Sequence, residues 1–202
     1  MTSPSKEKLK AALDLGQMAH RMVEGYYMHL AATHVAKDPR ATFLSPTVEL
    51  GQMVPVGRIR HKDSTRHEFH FTHYLAQAGT DPAMADDLER VWLVGALLTI
   101  GDALKRHSYF DHAPELELLY HLRNGVAHGN TFSIDLKHLR KYPAHNRLAW
   151  VRSDSKVEFE ITPNLQNQTV LFDFMAPGDI LHLLMSVSRY LTQMGMGEDP
   201  RS

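Results

Sequence analysis

Arg123 and His128, five positions apart at the end of an amphipathic segment, are the residues whose types and spacing point most clearly to chemistry. An imidazole with an ordinary pKa of about 6.5 can accept or donate a proton at neutral pH. A guanidinium can hold a phosphate through two hydrogen bonds and stabilise the negative charge that develops on it. Asn124 lies one helical turn before His128, where its amide could orient the imidazole. This combination favours acid–base chemistry at a phosphate.

The spacing alone is weak evidence, because the chain contains 14 histidines and 13 arginines. An Arg and a His five positions apart are expected about once by chance in such a composition. A second pair, Arg140 and His145, has the same spacing, but Pro143 makes a continuous helix between them unfavourable. Requiring Asn directly after Arg reduces the chance expectation to about 0.02. The context therefore selects Arg123 to His128.

The run Arg-Asn-Gly-Val-Ala-His over 123–128 resembles the Arg-polar-x-x-x-His signature of HEPN domains, an all-α family with many metal-independent endoribonucleases. The resemblance implies that Arg123, Asn124 and His128 are catalytic, that no cofactor or metal takes part, and that a homodimer forms a composite active site. One toxin branch of the family carries a modifiable Tyr two residues after the His. Here that position is Asn130, so this branch's modifying antitoxin is not carried over.

The motif helix is expected to have an apolar face and a solvated polar stripe, since residues follow one another at about 100° around a helix. The apolar face consists of Leu118, Leu119, Leu122 and Val126, and the polar stripe of Glu117, His121, Asn124 and His128. Gly129 follows as the residue that ends the helix. Arg123 lies about 140° from His128 on an ideal helix, which suggests that a second subunit helps to complete the site.

Composition indicates one soluble domain over residues 1–202, with 43% hydrophobic residues, no cysteine and a net charge of −1. The absence of cysteine excludes disulfides and Cys-ligated zinc. The N-terminus lacks a hydrophobic signal region, and the longest apolar run, 91–100, is about half as long as a bilayer requires. These observations predict a cytoplasmic protein without a membrane partner.

A basic segment follows the motif. Residues 137–152 contain five Lys or Arg, two His and no acidic residue. Such a segment could attract a phosphate backbone, although a run of charge is more often solvated surface. The predicted RNA-binding residues are Lys137, Arg140, Lys141 and Arg147.

Periodicity and turn residues predict a mainly α fold, a HEPN-like helical bundle with a small antiparallel β insertion before the last helix. Helices are predicted over 5–37, 64–78 and 82–107, from Pro114 through the motif, and from Pro177 onward. The β insertion is placed at about 145–175, and a disordered tail at 195–202.

Competing sites are weaker. His67, His70 and His73 would spread over about 120° of a helix and lack the His-Glu-x-x-His zinc pattern, so no metal site is predicted. Asp102 could approach the cleft, with a capped or paired carboxylate as the favoured role.

Two functions remain. The first is a homodimeric RNA-cleaving toxin or antiviral effector with an antitoxin or regulatory protein as a further partner. The second is a non-catalytic HEPN-like module that binds RNA, nucleotide or protein.

Overall fold

A computed structural model describes residues 5–44, 48, 51, 53–146 and 159–200. It is mainly helical with a small two-stranded antiparallel sheet, as the sequence predicts in outline. In chain order the elements are α1 (Lys6–Ala36), a 3₁₀ helix (Pro39–Leu44), β1 (Val56–Arg60), β2 (Arg66–His70), α2 (Phe71–Thr80), α3 (Pro82–Arg106), α4 (Pro114–Ala127), α5 (Leu136–Lys141), a second 3₁₀ helix (Pro163–Leu165) and α6 (Pro177–Gly195).

The four long helices lie where the sequence predicts them. Helix α1 ends at Ala36, just before the Asp38-Pro39 stop, while α3, α4 and α6 each begin at a proline. Proline suits the first helical position because its φ is already fixed and its missing N–H would have no partner in the helix. Local start and stop signals therefore determine these boundaries.

Contacts divide the chain into two compact units, one formed by 1–25 with 90–202 and the other by 26–89. In the first unit α1 and α6 approach at backbone distance. The Ser188 hydroxyl donates a 2.7 Å hydrogen bond to the Gly16 carbonyl oxygen. A methyl group at Gly16 would lie 2.7 Å from the Thr192 hydroxyl, so glycine permits this close approach.

A second close approach joins α3 to the motif helix α4. A methyl group at Gly101 would lie 2.5 Å from Cγ of Arg123 and 2.7 Å from its Cβ. Leu97, Ile100 and Leu104 of α3 are fully buried around this crossing, as are the α4 residues Leu118, Leu119 and Leu122. Glycine at position 101 thus allows the Arg123 side chain to run directly across α3.

The second unit contains the β-hairpin, and here the helix predicted over 64–78 is wrong in its first half. Strand β2 pairs antiparallel with β1, with Gly57 opposite Phe69 and Arg60 opposite Arg66. Helix α2 begins only at Phe71. The Phe69 ring covers Gly57, where a methyl group would lie 2.1 Å from its Cζ. This cross-strand packing stabilises a strand that single-sequence periodicity does not reveal.

The sheet predicted before the last helix falls partly outside the described residues, and only its described part can be corrected. Residues 147–158 lie outside the described residues, and 159–175 contain the second 3₁₀ helix and isolated bridges instead of strands. Thr131 pairs with Thr169, and His145 with Glu160. Extended backbone is therefore present in places, but the regular sheet in the described chain is the hairpin of 56–70.

Helix α5 and the end of α6 also differ from expectation. The sequence pattern does not predict α5, which Asp135 begins by accepting hydrogen bonds from the backbone of Lys137 and His138. The predicted disordered tail starts instead as a turn. The backbone N–H groups of Met196, Gly197 and Glu198 all donate to carbonyls of the last turn of α6. Residues 201–202 lie outside the described residues.

Replacing Gly101 by Ala should destabilise the protein by about 1–3 kcal/mol, because the added methyl would collide with Arg123. Gly95→Ala, on the same helix, is the matched control. In the described part of the chain, no atom beyond its neighbours and its own helix backbone lies within 4 Å of the added methyl, and Ala favours a helix over Gly by up to about 1 kcal/mol. Urea unfolding of both variants tests the difference, and equal stabilities would contradict the close crossing.

Candidate active site

The motif lies at the C-terminal end of α4. Arg123 and Asn124 lie close to its end, and His128 is the residue at which the helix ends, with φ −109° and ψ 41°. The His128 backbone N–H donates to the carbonyls of Asn124 and Gly125. Gly129 then adopts φ +80°, the left-handed conformation that ends many helices. The predicted helix end is therefore confirmed.

Asp102 of α3 holds the Arg123 side chain. Nε and Nη2 of Arg123 donate to Oδ1 of Asp102 at 2.9 and 2.5 Å. Nη1 donates to the side-chain oxygen of Asn124 at 3.1 Å. The expectation of a paired Asp102 is thus met, and its partner is the motif arginine. The guanidinium is held in one orientation by a carboxylate from one helix and an amide from its own.

Asn124 is expected to orient either His128 or a phosphate oxygen, and the first of these contacts is not formed. The sequence predicts that its amide orients the imidazole of His128, yet its side-chain oxygen accepts from Arg123. The bond that joins Asn124 to His128 runs from the backbone N–H of His128 to the backbone carbonyl of Asn124. His128 leaves the helical conformation, so the ideal-helix angle of about 140° between Arg123 and His128 does not apply either. The His128 side chain is exposed.

The solvated polar stripe is also wrong for two of its members. Glu117 is completely buried and His121 is 2% exposed. Both Glu117 oxygens are used, since Nδ1 of His112 lies 2.6 Å from Oε1 and Nε2 of His138 lies 2.5 Å from Oε2. The sequence shows these residues as polar but does not show that the turn before α4 and helix α5 cover them.

Aromatic rings pack around the cluster formed by Glu117, His112 and His138. The His112 ring stacks on Tyr142 with centroids 3.8 Å apart, and Tyr120 lies 4.5 Å from the His138 ring. Neither ring nitrogen of His121 has a hydrogen-bond partner among the described residues. Burial is the main cause that lowers the pKa of His121 to about 4, and the neighbouring His138 contributes in the same direction. His121 is therefore neutral at pH 7.

The predicted RNA-binding residues are placed in part. Lys137, Arg140 and Lys141 are exposed on α5, which ends before Pro143. The ammonium of Lys141 lies 4.8 Å from the centre of the Tyr142 ring. Arg147 lies outside the described residues. Three of the four cations therefore present their charge to solvent beside the buried cluster.

Histidines 67, 70 and 73 do not form one site. His67 and His70 are three residues apart on β2 and so point to opposite faces of the hairpin, while His73 belongs to α2. Within the described ranges, no group of three or more His, Asp or Glu side chains is placed to hold a metal ion.

Compared with family models, curated proteins and solved structures, the chain matches none. The HEPN resemblance therefore rests on the motif of 123–128 and its helical setting. In the described part of the chain, the helices are too short or too polar to cross a bilayer.

The low pKa of His121 predicts a loss of stability in mild acid. The unfolded chain binds a proton near pH 6.5 that the folded protein takes up only near pH 4, so stability falls as the pH drops through this window. Between pH 7 and 5 the loss is at most about 2 kcal/mol, from 1.36 kcal/mol per pKa unit.

His121→Leu should reduce the difference between the free energies of unfolding at pH 7 and pH 5 by up to this amount. Exposed His182 of α6 supplies the control, His182→Leu, which should leave that difference unchanged. Urea titrations at the two pH values measure it. The burial argument fails if His121→Leu retains the full pH dependence of the original chain.

Proposed function

We propose that this protein is a metal-independent, HEPN-type endoribonuclease in which Arg123, Asn124 and His128 form the active site. The observation that carries the proposal is the orientation of Arg123, which Asp102 and Asn124 hold on the helix that ends at the exposed His128. A guanidinium has five N–H donors, and three are used by Asp102 and Asn124. One N–H remains on each terminal nitrogen, which suits bidentate binding of a phosphate.

RNA supplies its own nucleophile. His128 removes the proton from a 2′-hydroxyl, and the 2′-oxygen bonds to the adjacent phosphorus while the bond from phosphorus to the 5′-oxygen breaks. A protonated histidine gives its proton to the departing 5′-oxygen. Arg123 stabilises the negative charge on the phosphorane. The products are a cyclic 2′,3′-phosphate and a 5′-hydroxyl end.

Asp102 is a positioning residue in this scheme, because it contacts Arg123 and reaches the phosphate only through it. Asn124 likewise orients Arg123. This role differs from the one first expected for Asn124, and it ties both polar partners to the same guanidinium. The exposed cations of α5, Lys137, Arg140 and Lys141, would add affinity for the RNA backbone.

The first test is cleavage itself. The purified protein should cut RNA in excess EDTA, and a 2′-deoxy substitution at the cleaved position should abolish cutting, since the nucleophile is then missing. His128→Ala should lower the rate by at least about 100-fold, the usual contribution of a general acid or base. His182→Ala removes another exposed histidine and should leave the rate unchanged.

Undiminished cutting by His128→Ala would refute the assignment, as would a requirement for a divalent ion. In that case binding without cleavage, the role of a non-catalytic HEPN-like module, would be the better account. Circular dichroism of each variant separates loss of chemistry from loss of fold.

We further propose a homodimer in which two motifs meet, so that one His128 acts as base and the other as acid. The motif has one histidine per chain, and a single histidine supplies only one of these roles at a time, which motivates the second copy. The original chain and His128→Ala protein are mixed, unfolded and refolded together. The total activity of the mixture should follow the square of the fraction of original chains, because only dimers with two intact His128 residues would cut RNA. Activity that instead falls in direct proportion, or a fully active monomer in light scattering, would contradict the shared site.

A further inference from the structure

The β-hairpin of residues 56–70 carries a concentration of positive charge that the site on α4 does not use. It contains four Lys or Arg and two acidic residues in a chain whose net charge is −1. Most of its residues are exposed, including the whole turn of 61–65. The cations are Arg58, Arg60, Lys62 and Arg66. The hairpin is therefore a local positive surface on a weakly acidic protein.

Both acidic residues of the hairpin are already engaged within it. Glu68 accepts a 2.9 Å hydrogen bond from Nε of Arg58 on the opposite strand. Asp63 closes the turn, because its carboxylate accepts from the backbone N–H of Thr65 at 3.0 Å and from the Thr65 hydroxyl at 2.6 Å. Glu68 therefore neutralises Arg58, and Asp63 stabilises the turn. Within the described ranges, neither acidic residue forms an ion pair with Arg60, Lys62 or Arg66.

Arg60 and Arg66 face one another directly across the two strands. Like charges in this position destabilise a hairpin, typically by a few tenths of a kcal/mol up to about 1 kcal/mol. Arg60 donates to the Ser64 hydroxyl at 2.9 Å, and neither arginine forms an ion pair with a carboxylate in the described residues. Two opposed guanidinium groups become favourable together when an anion binds between them.

Aromatic packing on the other face holds the hairpin in place. Residues directly opposite share a face, so the pair Arg60 and Arg66 lies on one side and the pair Gly57 and Phe69 on the other. The Phe69 ring covers Gly57 and makes an edge contact with Tyr74 of α2, with centroids 5.8 Å apart. Helix α2 thus anchors one face, and the arginine face is presented on a supported scaffold.

From this arrangement we propose that the hairpin is an RNA-binding surface whose Arg60, Lys62 and Arg66 contact the phosphate backbone. The proposal rests on the proposed ribonuclease function for its choice of RNA as the anion. An exposed imidazole strengthens the choice, since His61 lies in the chain between Arg60 and Lys62 and histidine rings stack on unpaired bases. A row of phosphates suits cations distributed over two strands and a turn better than a single small anion does.

The test measures RNA binding separately from cleavage. All proteins carry His128→Ala, so that the probe, a fluorescent single-stranded RNA, stays intact. The hairpin variant combines Arg60→Ala, Lys62→Ala and Arg66→Ala. The matched control removes three equally exposed cations from the start of α1 through Lys6→Ala, Lys8→Ala and Lys10→Ala. Fluorescence anisotropy gives the dissociation constant at several salt concentrations, and circular dichroism checks the fold.

The hairpin variant should bind RNA at least about 10-fold more weakly at low salt. The slope of log affinity against log salt should become shallower by about 2, since each lost contact with a single strand removes about 0.7. The control should change neither quantity beyond a small uniform effect. Equal affinities and slopes for the hairpin and control variants would overturn the proposal, as would a chain that binds no RNA in any form.

A second measurement separates RNA from a membrane surface as the anionic partner. Vesicles of phosphatidylcholine with phosphatidylserine should bind the chain no better than pure phosphatidylcholine vesicles. Anionic vesicles that lose binding in the hairpin variant, while RNA affinity stays unchanged, would assign the surface to lipid and refute the RNA proposal.

The failure of this proposal can be distinguished from the failure of the ribonuclease proposal by measuring RNA cleavage by the hairpin variant with His128 intact. If the original chain cuts RNA and the hairpin variant cuts and binds RNA equally well, only the hairpin proposal fails. If no chain cuts RNA but the hairpin variant loses RNA affinity, the hairpin proposal stands and the ribonuclease proposal fails.

Discussion

The carboxylate of Glu117 is the constraint around which the motif helix is organised. A completely buried carboxylate is costly unless its charge is balanced and its oxygens are hydrogen-bonded. Here His112 arrives from the turn before α4 and His138 from α5, and each uses one oxygen. The turn before α4, α4 itself and α5, whose His138 follows Glu117 by 21 residues, are thereby joined at one point. The position of α5, and with it the exposed Lys137, Arg140 and Lys141, follows from this contact.

The turn that delivers His112 is itself unusual. Ser108, Tyr109, Phe110 and His112 all have φ between +50° and +57°, a region that non-glycine residues enter at a cost. Compensating contacts surround them. Tyr109 and Phe110 are buried, and the Tyr109 hydroxyl donates to the Gly101 carbonyl at 3.3 Å. The turn therefore connects the Glu117 cluster to the same stretch of α3 that carries Asp102.

The sequence was a good guide wherever a local signal decides the outcome. Prolines at 82, 114 and 177 and the Asp38-Pro39 stop place the long helices, and Gly129 ends the motif helix. It failed where a distant partner decides. The sequence predicts Glu117 and His121 on a solvated stripe because nothing local indicates that α5 covers them. It predicts a helix at strand β2 because the stability of β2 comes from its partner β1 and from the Phe69 contact with Gly57.

The candidate site was predictable in the same uneven way. Arg123, Asn124 and His128 could be selected from spacing and neighbours alone. The link from Arg123 to Asp102 is 21 residues long in sequence, and only the crossing at Gly101 brings the two together. Asn124 turned toward Arg123 for the same reason, since the fixed guanidinium offers its amide oxygen a charged donor. Helical spacing predicts His128 as the partner of the Asn124 side chain, but a tertiary contact makes Arg123 its partner instead.

His112, His121, His128 and His138 lie on or beside the motif helix, and their surroundings distinguish the one suited to proton transfer from the other three. His112 and His138 each use a ring nitrogen to contact a Glu117 oxygen, so both imidazoles are engaged in structural contacts. His121 is buried, and its pKa of about 4 keeps it neutral and poorly basic at pH 7. His128 alone of the four is exposed. The other three stabilise the end of the fold from which His128 projects, which is why one helix can carry both a structural cluster and a candidate catalytic residue.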